Sequence, residues 1–130
     1  MTDQGPPKID VEQFLQDHID TVPHLEALLL LWNNRPNPWS VEEMANRLFL
    51  ASEAAEDILR DLVRERLLAA VPGPRVVYCY EPEPDRDRLV ASVDSIYRHE
   101  LIRISRLIHS KPSAAVRAFA RAFRLKKERE

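Results

Sequence analysis

Residues 39–80 constrain this chain most, because their punctuation permits one order of elements: a short helix, a tight turn, a second helix and a two-stranded hairpin. Ser40 is placed to cap the first helix, Glu43 stands at the answering position three residues on, and Trp39 and Met44 flank the pair as a hydrophobic staple. Leu50, Ala51 and Ser52 make the turn. Ser52 is expected to cap the second helix, in which Ile58, Leu59, Leu62 and Val63 recur at three- and four-residue spacing and so share one face. Residues 67–71 and 76–80 then bracket Pro72-Gly73-Pro74-Arg75, and Val76, Tyr78 and Tyr80 alternate with Val77 and Cys79 as a strand with one face on a core requires. Arg66 falls where the chain needs a left-handed residue after the helix, a position that glycine fills at least cost. Local strain or a shifted helix end is expected there.

The flanking segments read as helices. Asp10 and Gln13 form a second possible capping box, with Ile9 and Phe14 as its staple, which predicts a short helix over 11–19. Asp20 or Thr21 caps the next helix. Pro23 is tolerated in its first turn, and Leu25, Leu28, Leu29, Leu31 and Trp32 cover most of its circumference, as expected of a central core element. The run Asn33-Asn34-Arg35-Pro36-Asn37-Pro38 ends it. After a linker at 81–84, one long helix is expected over 85–110, with Leu89, Val90, Val93, Ile96, Tyr97, Leu101, Ile104, Leu107 and Ile108 on one side. Pro112 stops it, and a short basic amphipathic helix follows. The expected organisation is a leader at 1–9, a compact domain at 10–81, the long helix at 85–110 and a basic tail at 113–130. The fold class is mainly α with a small β-hairpin.

Composition narrows the function. Only two glycines against ten prolines favour helices separated by firm breaks. Cys79 is the single cysteine, which excludes an intrachain disulfide and a CxxC-type zinc site and fits a reducing cytoplasm. No apolar run reaches the length of a bilayer span. His18, His24, His99 and His109 include no HExxH pattern, and neither a glycine-rich phosphate loop nor a GxSxG occurs. The expectation is therefore no catalysis, no cofactor and no metal. The net charge of −2 hides a split: residues 1–95 carry −9 and residues 96–130 carry +7. A polyanion would be met by the tail unless a few arginines are arranged locally against the acidic body.

The order helix, turn, helix, hairpin is the outline of a winged helix-turn-helix, whose second helix reads DNA. Arg60 and Arg64 follow one another by a turn on that helix, and Arg47 on the preceding helix and Arg75 at the hairpin tip could join them in holding phosphates. Against this, the second helix opens with Glu53, Glu56 and Asp57, which suit a helix N-terminus but repel phosphate. The bland reading pairs Glu56 with Arg60 and Asp57 with Arg64 as a neutralised surface helix. The long helix exceeds what a small domain needs, so Val93, Tyr97, Leu101, Ile104 and Ile108 are candidates for a homodimer seam. In the tail, Phe119 and Phe123 are expected to dock while Arg117, Arg121 and Arg124 face outward, available to nucleic acid or to a protein partner.

Residues 21–80 resemble the winged-helix bacterial regulators of the MarR and PadR type, through the capped helix, the Leu50-Ala51-Ser52 turn, the Ile58/Leu59/Leu62 helix and the Leu67-Leu68 start of the hairpin. The longer order, with Phe14-Leu15 and His18-Ile19-Asp20 before the leucine-rich helix and Ile108-His109-Ser110-Lys111-Pro112 before Phe119-Ala120-Arg121-Ala122-Phe123, is similar to small uncharacterised bacterial winged-helix proteins. The resemblance implies contact with duplex DNA through Glu53, Ala54, Asp57 and Arg60 and through Arg75 on the wing. The reading is a dimeric, cytoplasmic, DNA-binding bacterial transcriptional regulator. The alternative is a protein-interaction adaptor that keeps the scaffold while its acidic helix and basic tail bind other proteins.

Overall fold

A computed structural model of the chain describes residues 8–110, residues 8 and 9 by their backbone alone. The tail residues Arg117, Phe119, Arg121, Phe123 and Arg124 lie outside the described residues, as does most of the leader. The elements run α1 (Lys8–His18), α2 (Val22–Asn33), β1 (Trp39–Ser40), α3 (Val41–Leu48), α4 (Ser52–Arg64), β2 (Leu68–Val71), β3 (Val77–Tyr80), α5 (Pro84–His99) and α6 (Leu101–His109). One hydrophobic cluster joins them. The mainly helical winged architecture is as expected.

Helix α2 is the centre. Thr21 caps it by accepting from the His24 backbone N–H at 3.3 Å, and Leu25, Ala27, Leu28, Leu29, Leu31 and Trp32 are buried around it. Its end is closed by Asn33 and Asn34, whose side-chain amides donate to the Leu29 and Leu30 carbonyls. The box on α3 is complete. The Glu43 N–H donates to Ser40 Oγ at 3.1 Å, and the Ser40 N–H donates to Glu43 Oε1 at 3.0 Å. The start of α1 differs from expectation: the helix begins at Lys8, so Asp10 lies in its first turn rather than at the cap.

Ser52 does not cap α4. The cap position is Ala51, with no side-chain hydrogen bond, because Phe49 turns left-handed at φ 58° and lets the Leu50 N–H reach the Ala45 carbonyl at 2.9 Å. That closes α3 early enough for the Ala55 N–H to bond the Ala51 carbonyl, which places the cap of α4 one residue ahead of the serine and makes Ser52 its first residue. At the other end, Arg66 sits at φ 62°, the left-handed position anticipated for it. The Arg66 and Leu67 N–H groups donate to the Val63 and Leu62 carbonyls, and the buried side chains of Leu62 and Leu67 complete a Schellman arrangement. Arg86 on α5 donates to the Arg66 carbonyl and so braces the strained residue.

The hairpin gains a strand that periodicity did not reveal. The sheet order is β1-β3-β2, antiparallel throughout, with Trp39 opposite Tyr78 and Leu68 opposite Tyr80. Two residues are too few to carry an alternation. Tyr78 and Tyr80 face the core, whereas Val76 lies before the strand and is exposed.

The long helix expected over 85–110 is broken. Glu100, at φ −131° and ψ 46°, ends α5 and starts α6. The bend carries Ile104 and Ile108 into the core, where they are 1% and 2% exposed, and Arg103 forms an ion pair with Glu12 of α1. Burying two isoleucines is worth about 1.5–3 kcal/mol each. A helical hydrogen bond given up at the break costs about 0.5–1.5 kcal/mol, so burial offsets the loss without any proline or glycine there. Helix α1 packs chiefly against α5 and α6.

Candidate nucleic-acid interface

Helix α4 buries Ala55, Ile58, Leu59 and Leu62 and turns the opposite face to solvent. On that face Glu53, Asp57, Arg60 and Arg64 form one stripe at helical spacing, with Ala54 beside it, and all five are exposed. The stripe is acidic in its first half and basic in its second. The acids suit the positive end of the helix dipole and the arginines its negative end, so local helix stability accounts for the order by itself. Arg60 pairs with Glu56 at 3.1 Å. Arg64 pairs with Asp61, not with Asp57, because partners three residues apart meet on a helix surface and partners seven apart do not. Such exposed pairs contribute only about 0.3–0.5 kcal/mol, which a phosphate can displace.

The wing supplies Arg75, exposed at its tip and the only charged residue between positions 67 and 80. Its guanidinium has no hydrogen bond or ion pair among the described residues. Strand β3 is held by an aromatic cluster. The Arg35 guanidinium lies 3.4 Å above the Trp32 ring, the Tyr80 ring meets Trp32 edge-on at 5.0 Å, and the Tyr80 hydroxyl donates to Asp87 Oδ1 at 2.6 Å. Burial, and then that hydrogen bond, push the Tyr80 hydroxyl well above its usual pKa.

Arg47 has a different setting. It lines a cleft of about 330 Å³ whose other walls come from α2, α3 and α5, among them Glu26, Asn33, Asp94, Tyr97 and Arg98, and not from α4 or the wing. Burial and the nearby Glu26 raise the Tyr97 pKa there. Asp94, Arg98 and Asn33 are joined by hydrogen bonds of 2.9–3.3 Å. Of the residues considered for a dimer seam, Val93, Ile104 and Ile108 are consumed by this chain's own core and Tyr97 is half-buried in the cleft. Leu101 remains 49% exposed, and beside it Ile102 is 69% exposed. The sequence reading missed this cleft, since its residues come from three separate helices. It also missed Phe49, a non-glycine left-handed residue at 94% exposure.

No family model and no curated protein matches the chain. Solved structures do. MepR, a transcription regulator of the Staphylococcus aureus multidrug efflux pump MepA, superposes with a TM-score of 0.55 at 18% identity, covering 92% of this chain and 86% of its own. A MarR family protein from Bacillus stearothermophilus gives 0.52 at 21% identity, covering 94% and 83%. The S. aureus MepR–DNA complex gives 0.56 at 15% identity, covering 95% and 91%. No helix among the described residues is long and apolar enough to cross a membrane. The capped α3, the left-handed turn, α4, the three-stranded wing and the flanking helices together make this chain a winged-helix protein of the MarR-type fold.

Proposed function

We propose that the chain is a DNA-binding bacterial transcriptional regulator that acts in the cytoplasm as a homodimer. The observation that carries this reading is the placement of Arg60 and Arg64 on the exposed face of α4, with Arg75 exposed at the wing tip. A helix and a hairpin tip of this kind suit a major groove and the phosphates beside it. A protein of the same fold has been solved on DNA, which supports the reading without assigning a sequence. Contacts from the acidic half of α4 to base edges are limited to exocyclic amino groups, since cytosine N4 and adenine N6 are the donors that Glu53 or Asp57 could accept from in the major groove. The exposed Leu101 and Ile102 on α6 offer the apolar surface through which a second copy would dock.

One observation favours the adaptor. Helix α4 carries four acids against two arginines, and both arginines are paired within the helix. Selection of bound fragments from a bacterial genomic pool separates the two readings. The regulator enriches a discrete set of sequences, and enrichment is lost when Arg60, Arg64 and Arg75 are all changed to alanine. If the intact chain enriches nothing, and its residual binding vanishes when the chain is ended at Ser110, the adaptor reading takes its place.

A further inference from the structure

The start of α2 meets α4 through a group of side chains that the DNA reading does not use. Asp20, His24 and Asp61 each present a ligating atom, and those atoms lie within 4.8 Å of one another. His24 is 7% exposed. Its Nε2 stands 2.9 Å from Asp61 Oδ2, and its Nδ1 stands 2.6 Å from Thr21 Oγ1. From these positions we propose that Asp20, His24 and Asp61 form a binding site for a divalent transition metal of the zinc class.

The donor set fits that class. One imidazole nitrogen and two carboxylate oxygens suit zinc and its first-row neighbours better than magnesium or calcium, which prefer all-oxygen shells. Ligand atoms of a tetrahedral zinc centre, at bonds of about 2.0–2.2 Å, stand roughly 3.4 Å apart. The His24–Asp61 approach opens slightly and the wider spacings close to reach it, a change within side-chain rotation. Thr21 Oγ1 is placed to accept from the far ring nitrogen, which fixes the tautomer that presents Nε2 to a metal. Helix packing shields the imidazole, while the Asp61 side chain is 34% exposed and leaves an entry path, with a fourth position for water. The three residues come from the α1–α2 junction and from α4, so the metal would tie the loop ahead of the central helix to the reading helix.

Asp61 is also the partner of Arg64. A metal that takes the Asp61 carboxylate weakens that pair and frees Arg64 for phosphate. This second consequence rests on the proposed DNA reading, whereas the site itself does not.

Zinc titrated calorimetrically into the metal-free full chain is expected to bind one equivalent per chain and to raise the melting temperature. His24→Gln and Asp61→Asn should each weaken binding at least tenfold. Asp20→Asn should do the same while leaving the half-buried His24–Asp61 hydrogen bond in place, so it serves if either other variant fails to fold. His18→Gln, which removes the separate His18–Glu65 pair and a ring contact with Phe14 but no proposed ligand, should bind as the parent does. Saturable binding that is absent in the parent, or that survives Asp20→Asn and one other ligand variant, overturns the site. In a separate DNA titration, zinc should steepen the dependence of log affinity on log salt by about 0.9 in the parent and not in Arg64→Ala. A site that binds zinc with no such change keeps the site and overturns the coupling to Arg64.

Discussion

Replacing Phe49 by glycine should stabilise this protein. The residue lies at φ 58° in the turn between α3 and α4, and a side chain in that region costs about 1–2 kcal/mol. Its ring is 94% exposed, so removing it forfeits essentially no burial. Glycine recovers the strain but adds unfolded-chain entropy of about 0.5–1 kcal/mol. The difference leaves roughly 0.5–1 kcal/mol in favour of the variant, which for a domain of this size raises the melting temperature by about 2–6 °C. Urea denaturation should show the midpoint rising with an unchanged slope, since the buried surface is the same. Phe49→Ala removes the ring and keeps the strain, and should fall within about 0.5 kcal/mol of the parent. If Phe49→Gly and Phe49→Ala are both destabilising by more than that, the ring is covered in solution and the exposure argument is refuted.

Ile104→Ala should cost about 2–5 kcal/mol in urea melts because its side chain fills the core under α6, whereas Ile102→Ala should cost under about 0.5 kcal/mol at concentrations where the chain is monomeric. Ile102→Glu should convert the proposed homodimer to a monomer in light scattering, and an unchanged dimer would exclude α6 from the seam. Alkaline pH should destabilise the fold. The native Tyr80 pKa is raised, so its stabilisation is intact below the unfolded value of about 10 and is lost as pH rises beyond it. Tyr80→Phe should flatten that alkaline limb in pH-dependent melts, and an unaltered limb would show that Tyr80 does not report it.

What was legible in the sequence was local. The Ser40/Glu43 box, the Thr21 cap and the left-handed Arg66 each depend on residues within a few positions, and each is found. The hairpin was visible for the same reason, although its strands begin one residue later than expected, at Leu68 and Val77. The break at Glu100 was not, because nothing at that position disfavours a helix, and the bend follows from where Ile104 and Ile108 find a core that includes α1 and α2. Strand β1 exists because Tyr78 offers Trp39 an open edge, a fact about β3 rather than about residues 39 and 40. At the candidate interface, the exposure of Arg60, Arg64 and Arg75 followed from helical phase and turn position. The setting of Arg47 did not, since α5, far along the chain, forms the wall opposite it. The Asp20/His24/Asp61 group escaped notice because Asp61 is separated from the other two by most of α2 and the whole of α3.

The salt dependence of DNA affinity tests the central claim most directly. For duplex selected from a genomic pool, log affinity plotted against log salt should fall with a slope that Arg60→Ala, Arg64→Ala and Arg75→Ala each reduce by about 0.9, one phosphate contact apiece, in the full chain and equally in a chain ending at Ser110. A slope that the three substitutions leave unchanged while loss of residues 111–130 abolishes it would show that α4 and the wing do not touch DNA.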